Sequence, residues 1–361
     1  MAAKKIFDFC VFGAGLAGVA VSQKLLDAGA TVCLFDIAEV ASGASGTPLG
    51  MVNPATGRGG TKAWRAKKCL ESVTADIEFI QTQTNDSFYK NTGILRPAQD
   101  ENMAERMKSN ALEKDWPQGW CKWLDAKEVA EINPDLHCVK GGMWLPKGLT
   151  VNVAKYLQTK VQYLTEKGLT LFENASYLID QDDNYTVNIS GERIVSKNLI
   201  FTAGSETDKT QFWDFLPLHP IKGQLAIFET PKAGDFDYSI SALGYIASIS
   251  KTRFIAGSTY EHHYDDLEPD EEGLNYLKKR LGKVYPALFK DAKLVDQWAG
   301  VRASTPNRKP FVGQHPEFEN IYVFAGLGSK GLLYSDYLGG LLAEYIMEGA
   351  SLPPMVSVER V

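Results

Sequence analysis

The sequence predicts an α/β chain: a Rossmann-like parallel sheet interleaved with an α+β unit built on an antiparallel sheet. Three observations carry this. Phe7–Asp36 reads as strand, glycine-rich turn, helix, strand and terminal acid. Strand-like segments of alternating polarity cluster between Leu225 and Gly257. A second apolar strand with a glycine-rich turn and a helix, Ile321–Met347, lies near the end. The expected division is therefore discontinuous, with 1–80, 142–205 and 298–361 in the nucleotide unit and 81–141 and 206–297 in the other.

Phe7–Phe12 is an apolar run that breaks at Gly13-Ala14-Gly15-Leu16-Ala17-Gly18, a G-x-G-x-x-G. Leu16–Ala28 has helical composition, Gly29 stops it, and Thr31–Phe35 is a strand ending at Asp36. The logic is that of a dinucleotide site. Gly13 permits the tight turn, Gly15 lets a pyrophosphate approach the backbone, and Gly18 lets the helix pack on the strand. The helix start offers N–H groups and a positive dipole end to phosphates. Asp36, about 20 residues on, is placed to accept hydrogen bonds from an adenosine ribose, and its charge disfavours a 2′-phosphate. Three glycines can also mark a simple turn; the register of all four elements favours the nucleotide.

Small residues dominate Ala41–Met51, so its backbone can approach a flat polar ligand at the carboxyl edge of the sheet. Arg58–Lys68 is the one dense basic stretch, readable as a solvated helix face or as a contact for an anionic substrate. Helices are expected at Ala75–Gln83, Glu101–Glu113, Asp125–Ile132 and Val151–Lys167, with a short strand at Gly93–Pro97. Ala175–Ile179 and Tyr185–Ile189 read as strands joined through Asp182-Asp183-Asn184. Val195–Phe201 is a central strand ending in Thr202-Ala203-Gly204. Leu225–Glu229, Gly244–Ile249 and Arg253–Gly257 alternate as antiparallel strands, followed by the helix Glu271–Leu281.

The 361 residues are 44% hydrophobic and 23% charged, an ordinary globular composition for about two domains. The formal charge of −6 leaves no global basic footprint, so any nucleic-acid contact has to be local. Five scattered cysteines without a C-x-x-C or Cys/His cluster suggest a reducing, cytoplasmic setting and no metal. His262 and His263 lack a third ligand at metal spacing and read as loop residues. Met1–Lys5 leads into the first strand without a signal peptide, and no apolar run reaches the roughly 18 residues of a membrane span.

Gly326-Leu327-Gly328-Ser329-Lys330-Gly331 is a second G-x-G-x-x-G, and the helix Leu332–Met347 follows it. Too little chain remains after that helix for another dinucleotide half. This turn therefore closes the first nucleotide unit and approaches the far end of one long cofactor, which fits FAD better than NAD. Its helix start, with Lys330, suits the negative charge that builds on a reduced flavin.

These motifs, with Gly43-Ala44-Ser45-Gly46, His219–Gln224, Gly300-Val301-Arg302 and Thr305-Pro306, resemble the D-amino-acid oxidase and glycine oxidase superfamily of FAD-dependent enzymes. Within it, Gly142–Pro146, Gly300–Thr305 and Ala325–Leu332 are similar to the flavin domain of bacterial bifunctional tRNA-modification enzymes; the methyltransferase half of those enzymes is absent from this sequence. The resemblance implies oxidation of a C–N bond in an amino acid or N-substituted glycine, with oxygen or another electron acceptor. It implies Arg302 as a bidentate clamp on the substrate carboxylate, Tyr245 as its helper and Lys330 as a flavin neighbour. A surface salt bridge for Arg302 and a core role for Tyr245 are the plainer alternatives. The implied cofactor contacts are Gly13, Ala14, Gly15, Leu16, Ala17, Gly18, Asp36, Ser42, Ala44, Ser45, Gly46, Gly50 and Met51. The later ones are Thr202, Ala203, Gly204, Arg302, Gly326, Gly328, Ser329, Lys330, Gly331 and Leu332. Gly300 stands where related oxidases carry a flavin-linking cysteine, which implies non-covalent FAD. Two other classes are an FAD dehydrogenase serving a membrane quinone and a non-catalytic flavin-binding module.

Overall fold

The computed structural model describes residues 5–181, 185–234 and 236–361. The expected turn Asp182-Asp183-Asn184 and the leading residues 1–4 lie outside them.

One sheet runs Thr170–Phe172, Val32–Phe35, Lys5–Phe12, Glu192–Phe201, Tyr185–Ile189, Tyr177–Gln181. The first four strands are parallel. Ile321–Ala325 joins the far end of Glu192–Phe201 in parallel, so the second glycine motif belongs to the same sheet as the first. Alternate residues of the first strand feed two cores: Phe9 and Val11 meet the helices, Cys10 and Phe12 the other face. Phe12 stacks on Phe201 at 4.9 Å, and each fully buried side chain of this size contributes about 1.5–3 kcal/mol. The helices Leu16–Asp27 and Gly331–Glu348 cross where a Cβ on Gly339 would stand 3.1 Å from the Val21 nitrogen. Their close contact depends on that glycine.

The other large sheet runs Lys293–Ser304, His219–Glu229, Arg253–Gly257, Tyr245–Ser248, Ser239–Ser241, Ile94–Pro97, Gly142–Leu145, Lys122–Leu124. All its pairings are antiparallel except Ser239–Ser241 with Ile94–Pro97. Gly142–Leu145 thus hydrogen-bonds into the antiparallel sheet, although its sequence segment was grouped with the nucleotide unit. Lys293–Ser304 is a strand that the sequence did not announce. It is exposed or half-buried along nearly its whole length, so it carries no alternation. The helix expected at Ala75–Gln83 runs Ala66–Thr84, because Cys69, Leu70, Val73, Ile77 and Ile80 all face the core. Asp100, Asp125, Asn152 and Asp270 cap the next helices with side-chain oxygens, which moves the start of the expected Val151–Lys167 helix to Val153. No helix among the described residues is long and apolar enough to cross a membrane.

The helix layer encloses a buried ion pair. Lys160 Nζ lies 2.7 Å from Asp76 Oδ2, and both side chains are almost fully buried. The Tyr156 hydroxyl donates to the same carboxylate. Removing one partner strands a buried charge. Asp76→Ala should therefore lower unfolding free energy by about 3–5 kcal/mol in urea titrations, whereas Asp76→Leu with Lys160→Met should stay close to wild type.

Candidate active site

Thr202 shapes the first glycine turn. Gly13 has φ +113°, and a Cβ there would stand 2.6 Å from the Thr202 carbonyl oxygen. A Cβ on Gly18 would stand 1.9 Å from the Gly13 carbonyl oxygen. The Thr202 hydroxyl donates to the carbonyls of Phe12 and Gly13, each at 2.9 Å. Asp36 sits across the turn and accepts from the Ala14 N–H at 2.7 Å and the Ala38 N–H at 3.0 Å. Ser45 Oγ accepts from the Leu16 N–H at 3.1 Å, so the Ala41–Met51 loop folds onto the helix start. That helix's N-cap residue, Gly15, supplies no side chain, and its first turn holds no acid. Its unpaired N–H groups and dipole suit a pyrophosphate, and a Cβ on neighbouring Gly43 would meet nothing within 4 Å. The cradle fits the nucleotide half of FAD.

The two glycine motifs adjoin. A Cβ on Gly331 would stand 2.9 Å from Leu16 Cδ1, and one on Gly50 would stand 2.6 Å from Leu332 Cδ1. Gly326 and Gly328 hold φ +76° and +55°, Ser329 is exposed, and Lys330 Nζ donates to the Arg308 carbonyl at 3.0 Å. Burial pushes the Lys330 ammonium down to about 8, helped by the like charges of Lys309 and Arg308.

Arg302 lies on the unannounced strand, opposite Ile221. Its Nη2 donates to the Thr259 carbonyl at 2.8 Å, and the guanidinium covers the Tyr260 ring at 4.4 Å. A Cβ on Gly223 would stand 1.5 Å from that Nη2, so only glycine leaves room for the group. No carboxylate pairs with Arg302 among the described residues, unlike the salt bridge weighed from sequence. Tyr245 donates its hydroxyl to the Leu49 carbonyl at 2.7 Å, which ties the antiparallel sheet to the loop before Gly50 and Met51. Burial raises its pKa and keeps it a neutral donor, although nearby Arg302 acts in the other direction. A Cβ on Gly300 would stand 2.4 Å from the Trp298 ring and 3.1 Å from Ala44 Cα.

Sequence reasoning missed Thr259, Tyr260 and Gly223 as neighbours of Arg302. Gly223 lies within His219–Gln224, and Tyr260 lies two residues before the His262-His263 pair. His262 and His263 are exposed on that loop, and His219 is exposed at a strand start. In the basic stretch, Lys67 and Lys68 form a solvated helix face, as read from sequence, whereas Arg65 lies over Trp64.

Lys330 gives a signed pH prediction. Its folded pKa of about 8 is below the 10.5 of a free lysine, so the unfolded chain holds the extra proton between those values. Wild type should gain stability relative to Lys330→Met as pH rises through that window and show a flat difference below it, read from paired urea titrations.

The FAD dependent oxidoreductase family model, DAO, matches residues 8–345. The tRNA 5-methylaminomethyl-2-thiouridine biosynthesis bifunctional protein MnmC of Acinetobacter baylyi is 26% identical over 94% of this chain and 52% of its own length. The chain thus spans about half the length of that relative. Glycine oxidase of Geobacillus kaustophilus is 22% identical over 94% of this chain and 93% of its own. The crystal structure of that enzyme superposes with a TM-score of 0.85 over 97% of this chain and 96% of its own. Iminodiacetate oxidase from Chelativorans sp. BNC1, 21% identical, gives 0.81 over 96% and 97%. With its two glycine turns joined into one cofactor cradle and the family model covering most of its length, the chain belongs to the DAO family of FAD-dependent oxidoreductases.

Proposed function

We propose that the chain oxidises the C–N bond of an amino acid or N-substituted glycine. The observation that carries this reading is Arg302, a guanidinium without a carboxylate partner among the described residues, held by neutral groups beside Tyr245. Such a group clamps a substrate carboxylate through two parallel hydrogen bonds. Bound FAD supplies the acceptor for a hydride leaving the carbon next to nitrogen. The imine left behind takes up water and separates into an amine and an oxoacid. The protein's own task is orientation: Arg302 fixes the carboxylate, and Tyr245 holds the Leu49 loop. Lys330 and the start of helix Gly331–Glu348 present positive potential to the cofactor's far end. Gly13–Gly18, Asp36 and Ser45 would hold the adenosine diphosphate portion. A side chain at Gly300 would press on the Trp298 ring, and position 300 carries no thiol, which supports non-covalent FAD. Free, buried Cys10, Cys33 and Cys69 suit a reducing cytoplasm.

A second reading places the same glycine unit on tRNA, as a carboxymethylaminomethyl-uridine. It is supported by the relatedness to the MnmC protein and by the local concentration of cations around Arg65.

Anaerobic bleaching of the flavin by glycine, sarcosine, larger D-amino acids and modified tRNA tests both readings. Bleaching by none of them overturns the proposal. Arg302→Ala should keep its yellow colour and lose roughly 10- to 150-fold in kcat/KM, the worth of a charged hydrogen bond. Unchanged turnover in that variant removes the clamp. Acid precipitation should release all FAD to the supernatant; colour retained in the pellet would argue for a covalent link.

A further inference from the structure

Beside the start of helix Gly331–Glu348, three distant segments bring four cations together. The Arg65 guanidinium lies 4.9 Å from the centre of the Trp64 ring, and Lys309 Nζ lies 5.6 Å from it. Arg65 also donates to the Tyr337 hydroxyl at 2.5 Å. Trp64 meets Tyr334 edge-on at 6.3 Å, Lys330 Nζ lies 5.6 Å from the Tyr334 ring, and Lys330 donates to the Arg308 carbonyl. None of the four has a carboxylate partner among the described residues. Lysines elsewhere, such as Lys5, Lys122 and Lys197, are paired with acids.

Crowding four positive charges without a counter-charge is unfavourable; the Lys330 ammonium, lowered chiefly by burial, is lowered further by Lys309 and Arg308. Backbone strain is stored at the same place. Arg65 and Arg308 both hold the left-handed conformation, at φ +47° and +57°, which costs free energy in any residue but glycine. Repulsion and strain converge on one face of an acidic protein, which points to an anion from outside. The cations already cover the Trp64 ring, so phosphates rather than stacked bases are what this face recognises. Arg65 and Arg308 are exposed and Lys309 and Lys330 half-buried. The charges are thus spread over a surface, as a repeating phosphate chain requires, and do not enclose a single small ion.

We propose that this face binds the phosphodiester backbone of an RNA and seats it beside the flavin end of the site. The inference rests on the second reading above, in which the oxidised amine is carried by RNA.

The test is fluorescence anisotropy of a labelled RNA stem-loop with the FAD-loaded chain, which reads binding without turnover. Binding should weaken with salt along a log–log slope of roughly −3, as four phosphate contacts predict. Arg65→Ser with Lys309→Ser should weaken binding at least about 10-fold and roughly halve the slope. Arg308→Gly removes a charge while relieving strain, so it should keep or raise the melting temperature and still weaken binding about 3-fold or more. Lys5→Ser with Lys197→Ser should change neither affinity nor slope. Absent binding at low salt, or variants that bind like wild type, overturns the proposal. So does displacement of RNA by inorganic phosphate beyond the effect of chloride at equal ionic strength, which would mark a small-anion site. Bleaching by a small amine is read separately. Its failure would remove the free-amine reading, and failure of modified tRNA as well would remove the proposed oxidation; either leaves the RNA result standing.

Discussion

The closeness of Gly13, Gly18 and Thr202 governs the rest of the molecule. The helix Leu16–Asp27 starts where a single Cβ would collide with backbone. That contact is local on one side and distant on the other. Thr202 ends the strand Glu192–Phe201, which has to pair with Lys5–Phe12 before the turn takes its shape. Gly331 then brings the start of the last helix against Leu16. The cradle is therefore completed by segments from the beginning, middle and end of the chain. Its folding is tied to long-range strand pairing, which is slow compared with helix formation.

How much of this is legible in the sequence follows from which signals are local. The strand–turn–helix–strand unit Phe7–Asp36 was readable, because glycine spacing, a fully buried strand and a terminal acid are all properties of one short segment. The second motif was readable by exclusion, since the chain after it is too short for another half-fold. Lys293–Ser304 was not, although it carries Arg302. Half-exposed along its length, it has neither an apolar run nor an alternating face. The first turns of the helix Ala66–Thr84 were hidden for a related reason. Lys67 and Lys68 point to solvent and read as a charge run, while Cys69 and Leu70 pack inward. Arg65 stood out as part of that run, but Arg308 and Lys309 reach it only through the fold, and no spacing rule connects them.

The site lies at a seam between two sheets of different character, and the Ala41–Met51 loop fastens them. Ser45 binds it to the helix start on the parallel side, and Tyr245 binds Leu49 on the antiparallel side. Ala44 packs against Gly300, two residues from Arg302. A loop of small residues can make all these contacts at once because it has almost no side chains of its own to accommodate. This explains why a loop of small residues is half-buried and tightly bonded here.

Arg302 is oriented by neutral groups. A carboxylate neighbour would orient the guanidinium but would also cancel its charge, and a substrate carboxylate would then have to displace it. A backbone carbonyl and an aromatic face orient it without cancelling anything. The group has five N–H donors, and Thr259 engages only Nη2. The remaining edge keeps its charge and donors uncancelled. Gly223 is the enabling residue, since any side chain there would occupy the space of the guanidinium itself. The setting of Arg302 thus depends on what the neighbours lack: a side chain at Gly223 and a charge at Tyr260.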